Sequence, residues 1–151
     1  MKARDIMTPH PATVAPSDPV QRAAQLMTEV DCGFLPVVSD DDSHALVGIV
    51  TDRDLALRAV AAGRSPDTTV NDVMTTDPQT VTLDAKLDEV EKLMADHQIR
   101  RVVVVDDSGE CVGVISQADL ALSTKKGRKP TPESFATVLN RISQPHEHPP
   151  A

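Results

Sequence analysis

The sequence predicts an α/β (α+β) fold made from one βαββα unit written twice. The first observation behind this is internal repetition. Asp5-Ile6-Met7-Thr8 returns as Asp72-Val73-Met74-Thr75, an offset of 67, and at that offset Pro11 meets Pro78, Thr13-Val14 meets Thr80-Val81, Leu26-Met27 meets Leu93-Met94, and Val37-Val38 meets Val104-Val105. From Gly48 and Gly113 onward the offset is 65, which puts Asp54 on Asp119 and Leu55-Ala56-Leu57 on Leu120-Ala121-Leu122. The slip of two falls in the acidic stretch Ser39 to Ala45, a surface turn where insertions belong. The second observation is that each copy sets a stretch of helical period before two short β-branched runs. The third is composition: 40% hydrophobic but 1% aromatic. Each half must build its core from aliphatic side chains, and halves this small bury too little surface to stand alone.

The elements follow in order. An extended segment opens each copy. Pro16-Ser17-Asp18-Pro19 then starts a helix, with Ser17 or Asp18 as cap and Pro19 in the first turn. Val20, Ala23, Ala24, Met27 and Val30 form its apolar face. In the second copy Asp84 caps a helix whose face is Leu87, Val90, Met94 and the edge residue His97. Strands are predicted at Phe34 to Val38, Leu46 to Val50, Arg101 to Val105 and Cys111 to Ile115, with Asp106-Asp107-Ser108-Gly109 as a tight hairpin turn. A second helix closes each copy, Thr51 to Ala62 with Gly63 as its stop, and Ser116 to about Ser123. The organisation is therefore residues 1–63 for the first repeat, 64–71 as linker, 72–124 for the second repeat, and 125–151 as a tail. That tail holds the basic run Lys125 to Lys129, an amphipathic helix from Pro132 to Ile142 through Phe135, Val138, Leu139 and Ile142, and a disordered end.

Charge and composition restrict the function. A net charge of −8 opposes general nucleic-acid binding, which needs a basic surface, and any phosphate site must be locally basic. No apolar run approaches the roughly 18 residues of a membrane span, and the N-terminus leads into no signal-type stretch. Cys32 and Cys111 have no metal or redox spacing. Free thiols in the cytoplasm are expected rather than a disulfide.

The chemistry concentrates in two matched segments, Gly48-Ile49-Val50-Thr51-Asp52-Arg53-Asp54 and Gly113-Val114-Ile115-Ser116-Gln117-Ala118-Asp119. Each has a strand glycine, a hydroxyl at the strand-to-helix junction and an acid three residues on. A structural reading suffices for one copy, because Thr-x-x-Asp and Ser-x-x-Asp are variants of a capping box. The functional reading uses the same geometry: a helix N-terminus and a hydroxyl favour a phosphate, and an acid one turn in can accept both hydroxyls of a ribose. Retention of all three residues in both copies favours function.

The Asp-Ile-Met-Thr opening, the Phe34-Leu35-Pro36-Val37-Val38 and Arg101-Val102-Val103-Val104-Val105 strands, and the two Gly-x-x-[Thr/Ser]-x-x-Asp segments resemble the CBS (cystathionine beta-synthase) domain family over roughly residues 1 to 124. The chain is similar to small stand-alone CBS-pair proteins of the bacterial hypoxic-response type. The resemblance implies two repeats packed sheet to sheet about a pseudo-two-fold axis, two clefts that take adenosine ligands, and a homodimer. It implies that Asp54 and Asp119 bind ribose, that Thr51 and Ser116 lie on the phosphate side, and that Val14, Val81, Pro36, Val37, Val102 and Val103 surround the base.

Arg53, and the cluster His97, Arg100 and Arg101, are the candidate phosphate partners, although cations at a helix C-terminus need no ligand to explain them. Ala118 stands where the first copy has Arg53, and Cys32-Gly33-Phe34 where the second has Ile99-Arg100-Arg101, so inequivalent clefts are expected. Asp40-Asp41-Asp42 reads as a solvated loop, His146 and His148 as adventitious metal binders at most, and Met7 and Met74 as packing where the repeats join. No catalytic residue, metal site or required cofactor is expected. The leading function is a regulatory module for AMP, ADP or ATP, with S-adenosylmethionine also open. The alternative is a protein-interaction scaffold with unoccupied clefts. Nucleic-acid binding through the basic tail and Arg100-Arg101 ranks below both, and an enzyme last.

Overall fold

The computed structural model describes residues 1–124 and 132–144. The expected linker around Lys125 to Lys129, the end from Pro145 and the Phe135 side chain lie outside the described residues. The chain forms two βαββα repeats packed sheet to sheet with pseudo-two-fold symmetry. In order these are α1 (Ala3–Ile6), β1 (Thr8–Pro9), α2 (Val20–Val30), β2 (Phe34–Val38), β3 (Leu46–Thr51) and α3 (Asp52–Asp54), which continues as a π-helix over Leu55–Val60. After a 3-10 turn at Val70–Asp72 come β4 (Thr75–Thr76), β5 (Thr80–Thr82), α4 (Leu87–His97), β6 (Arg101–Val105), β7 (Cys111–Ser116), α5 (Gln117–Thr124) and α6 (Pro132–Ile142). No described helix is long and apolar enough to cross a membrane.

Each opening strand completes the sheet of the other repeat. β1 pairs with β7, Thr8 opposite Val114 and Pro9 opposite Gly113. β4 pairs with β3, Gly48 opposite Thr76 and Ile49 opposite Thr75. The sheet orders are therefore β1-β7-β6-β5 and β2-β3-β4. Both strand glycines serve this exchange. A Cβ on Gly48 would lie 2.8 Å from the Thr75 carbonyl oxygen, and one on Gly113 would lie 2.5 Å from Met7 Sδ. Met7 and Met74 thus pack where the repeats join, each on a glycine that leaves room for it.

The exchange continues in the cores. Ala3 is buried among Leu87, Val90, Met94, Val102, Val104, Ile115 and Leu120 of the second repeat. Val70 and Val73 are buried among Val14, Val20, Ala23, Leu35, Val37 and Val50 of the first. The segment Pro66 to Thr69 also finishes α2. Val20 N–H donates to Thr68 O (2.8 Å) and Gln21 N–H to Pro66 O (3.2 Å), so two of the helix's unpaired donors are met by main chain rather than by a side-chain cap. That corrects the expected cap. Pro19 is the residue before the helix, and Asp18 Oδ2 instead accepts Ala15 N–H at 2.8 Å. Asp84 is likewise not the cap of α4. Its Oδ1 receives Lys2 Nζ (2.7 Å) and Arg4 Nη2 (2.6 Å), while Glu89 Oε2 accepts the Lys86 N–H at 3.2 Å.

The hairpin between β6 and β7 is held by Asp106, whose Oδ1 accepts Ser108 N–H, Ser108 Oγ–H and Glu110 N–H, with Gly109 at φ +84°. These bonds, the Ser108 hydroxyl first, lower the Asp106 carboxyl below its usual range. Asp41 performs the same service in the acidic loop, accepting from Ser39 and Ser43. Finally, α6 packs on the helices of the second repeat, burying Val138 and Ile142 in that core. Arg141 pairs with Asp96 at 2.9 Å and its carbonyl accepts Gln98 Nε2 at 3.4 Å.

Candidate functional site

The two strand-to-helix corners are built alike. At the first, Thr51 N–H donates to Asp54 Oδ2 (3.0 Å) and Asp54 N–H to Thr51 Oγ1 (3.1 Å). At the second, Ser116 N–H and Ser116 Oγ–H both donate to Asp119 Oδ2 (2.7 Å each), and Asp119 N–H donates to Ser116 Oγ (3.2 Å). Both corners are therefore capping boxes, which satisfy the first donors of the following helix. The described bonds use one carboxylate oxygen of each acid. The corners differ one turn on. Arg58 Nε lies 3.8 Å from Asp54 Oδ1 and its Nη1 donates to the Val73 and Met74 carbonyls. At the second corner the residue in register with Arg58 is Ser123, which donates to Leu120 O at 2.7 Å, so Asp119 has no guanidinium from that position.

Two clefts lie between the repeats. The larger, about 350 Å³, has Thr8, His10, Pro11 and Ala12 on one side. Val30, Cys32, Phe34 and Leu35 form its apolar wall, and Arg101, Val114, Ser116 and Asp119 close it from the second repeat. The smaller, about 200 Å³, is its counterpart: Thr75, Asp77, Pro78 and Gln79 correspond to Thr8, His10, Pro11 and Ala12. His97 and Ile99 take the places of Val30 and Cys32, and Ile49, Val103, Phe34 and Arg101 complete the lining. Small-molecule sites typically occupy about 300–1,000 Å³. The larger cleft falls in that range and the smaller below it.

The larger cleft also has the donor set suited to a nucleoside. Ala12, Val30, Leu35 and Val114 offer an aliphatic slot for a flat base, Ser116 and Asp119 a hydroxyl and a carboxylate for ribose, and Arg101 a cation for a phosphate. The Arg101 guanidinium carbon lies 5.7 Å from the Phe34 ring centroid, within cation–π range. Cys32 is half-buried and its thiol donates to Phe34 O at 3.4 Å. Burial pushes the Cys111 thiol up to about 11, which keeps it protonated and unreactive at neutral pH. Among the described residues no cluster of three or more His, Cys, Asp or Glu could hold a metal ion.

Of the sequence-selected residues, Ser116, Asp119 and Arg101 line the larger cleft, and His97, Arg101 and Val103 the smaller. Thr51 and Asp54 are half-buried at their corner and are not in the lining of either cleft, although Ile49 on the same strand is. Arg53 and Arg100 are exposed and outside both linings. Val14, Val37 and Val102 are buried in the cores, Pro36 is buried outside the linings of both clefts, and Val81 pairs with Val104 beside the second core. The apolar lining comes instead from Phe34, Leu35, Ala12, Val30 and Val114, with His10 and Cys32 added. The repeat alignment held the signal for part of this set, since His10-Pro11-Ala12 and Asp77-Pro78-Gln79 both follow the duplicated Met-Thr openings. Which opening faces which corner depends on the strand exchange.

The CBS domain family model matches residues 3–60 and 70–123. The chain is 38% identical to CBS domain-containing protein YhcV of Bacillus subtilis over 145 residues, 96% of this chain and 97% of that protein. It is 38% identical to Hypoxic response protein 1 of Mycobacterium tuberculosis over 120 residues, 79% of this chain and 82% of that one. Two solved structures resemble it closely. CBSX2 in complex with AMP has a TM-score of 0.71 at 29% identity, covering 84% of this chain and 98% of that one. The CBS domain pair of protein MJ0100, in complex with 5-methylthioadenosine and S-adenosyl-L-methionine, has a TM-score of 0.75 at 28% identity, covering 85% and 98%.

Proposed function

The chain belongs to the CBS-domain family, and from that premise we propose that it is a non-catalytic regulatory module that binds an adenine nucleotide in the larger cleft. One observation carries the reading: Ser116 and Asp119, while capping α5, line a cleft of about 350 Å³ whose other walls are aliphatic and whose cation is Arg101. Solved relatives in complex with AMP, or with S-adenosyl-L-methionine and 5-methylthioadenosine, support a ligand with an adenosine moiety. Arg101 favours the phosphate-bearing members of that set. Asp119 accepts the ribose hydroxyls, Ser116 lies toward the phosphate, and the base enters between Ala12 and Leu35 without ring stacking. Thr51 and Asp54 contribute less, because they lie outside the lining of the smaller cleft and Arg58 already engages Asp54. Regulation follows if the ligand binds one arrangement of the repeats better than another.

Titration calorimetry with AMP, ADP, ATP and S-adenosylmethionine tests this. Wild type binds a phosphate-bearing member, Asp119→Ala loses at least about tenfold in affinity, the order of a lost charge-assisted hydrogen bond, and Asp54→Ala loses less. Equal, negligible heats for all three proteins would end the proposal in favour of an interaction scaffold with unoccupied clefts. Two free thiols fit a reducing, cytoplasmic setting. The exposed Leu57 (53%) and Val60 (78%) on the first repeat's outer helix fit a homodimer contact.

A further inference from the structure

Phe34 and Arg101 occupy equivalent positions in the two repeats, so the pseudo-two-fold axis runs between them. Both residues line both clefts. The Arg101 guanidinium rests on the Phe34 ring, 5.7 Å from its centroid, at the partition between the two. No other arginine or lysine lines either cleft among the described residues, and the chain as a whole is acidic. A phosphate entering from either side therefore meets the same single permanent cation.

A guanidinium fork presents its paired donors to one phosphate at a time in bidentate geometry. Once drawn to one side, it is both neutralised and displaced for the other. Direct repulsion between two bound phosphates would persist without the guanidinium, so loss of the Arg101 charge separates it from this competition. We propose that Arg101 is a shared counter-charge for which the two clefts compete, so that a phosphate-bearing ligand in the larger cleft weakens binding of a second in the smaller. Phe34 is the rest on which the guanidinium waits. This deepens, and rests on, the nucleotide reading above.

The test uses AMP and adenosine as probes, with calorimetry on the full chain. Ala12→Trp fills the larger cleft and Gln79→Trp, its repeat counterpart, fills the smaller. In wild type the second AMP, the step that Gln79→Trp removes, binds about tenfold more weakly than AMP binds Ala12→Trp, a coupling of ordinary size between two sites. Adenosine, lacking phosphate, shows no such difference. Arg101→Met keeps the stem on Phe34 but removes the charge, and in its background plugging the larger cleft no longer changes the smaller. Arg101→Lys keeps the coupling. Circular dichroism confirms that each variant is folded. The proposal is overturned if the second wild-type step equals binding to Ala12→Trp, if Ala12→Trp binds no AMP, or if the tenfold difference survives in Arg101→Met or appears with adenosine. A wild type that binds no AMP at all is a separate result, which removes the nucleotide reading and this coupling with it.

Discussion

Glu91 offers a quantitative test of the packing. It lies on α4, the helix that α6 packs against, with 6% of its surface exposed and Oε1 unpaired among the described residues. Its counterpart in the first repeat, Ala24, is exposed. Burial, with a smaller contribution from the charge of Asp88, pushes the Glu91 carboxyl from 4.5 up to about 7. Because the folded state holds this proton more tightly than the unfolded state, stability falls as pH rises from about 4.5 to about 7 and stays reduced above. At 1.36 kcal/mol per pH unit, the span from 4.5 to about 7 makes the loss about 3–4 kcal/mol. Glu91→Met has nearly the same helix propensity and no charge to desolvate. At pH 8 its Tm should therefore exceed wild type by about 7–15 °C, and the gap should shrink strongly at pH 4.5. Glu91→Gln should abolish the same pH dependence with a smaller gain, since its amide needs partners of its own. Thermal unfolding by circular dichroism at the two pH values reads this directly. A gap of the same size at both would show that the carboxyl titrates normally and that the cover over α4 is not closed.

Other outcomes follow from the same contacts. Gly48→Ala forces a Cβ against the Thr75 carbonyl and should lower stability by about 1–3 kcal/mol, seen as a reduced urea midpoint. Ser116→Ala removes the hydroxyl shared with Asp119 and should cost about 0.5–2 kcal/mol of stability as well as weakening AMP. Ile142→Ala empties the seat of α6 in the second core and should cost about 2–4 kcal/mol, with faster amide exchange along α4. Leu57→Ser with Val60→Ser should shift a wild-type dimer to monomer in sedimentation equilibrium, and a monomeric wild type would remove the dimer reading.

The repeat made much of the fold legible. The strands at Phe34–Val38 and Arg101–Val105 appear with the expected bounds, and β3 and β7 run one residue further, to Thr51 and Ser116. These are short β-branched runs bounded by turn residues, where local pattern and tertiary context agree. The helix starts were less legible. Asp18 and Asp84 have the chemistry of caps, but Asp18 turns back to Ala15 and Asp84 meets Lys2 and Arg4, while main chain of the segment between the repeats, at Pro66 and Thr68, closes α2. The second helix of the first repeat widens to a π-helix over Leu55–Val60 where a regular helix to Ala62 was expected. At the site, Arg101 was legible as a cation where the first copy has Phe34, and Ser116 and Asp119 carried a duplicated signal. The cleft walls did not, because Thr8 to Ala12 reach Asp119 only through the exchange of opening strands, a long-range pairing that local pattern does not encode. The family resemblance placed Val14, Pro36, Val37 and Val102 around the base, yet Val14, Val37 and Val102 are buried in the cores, and Pro36 is buried outside the linings of both clefts.

The most direct measurement is a crystal structure of the wild-type protein grown with AMP. Density for the nucleotide in the larger cleft, ribose hydroxyls on the Asp119 carboxylate and phosphate at Arg101, is the predicted result. An empty larger cleft under saturating AMP, or a ribose held away from Asp119, would contradict the account.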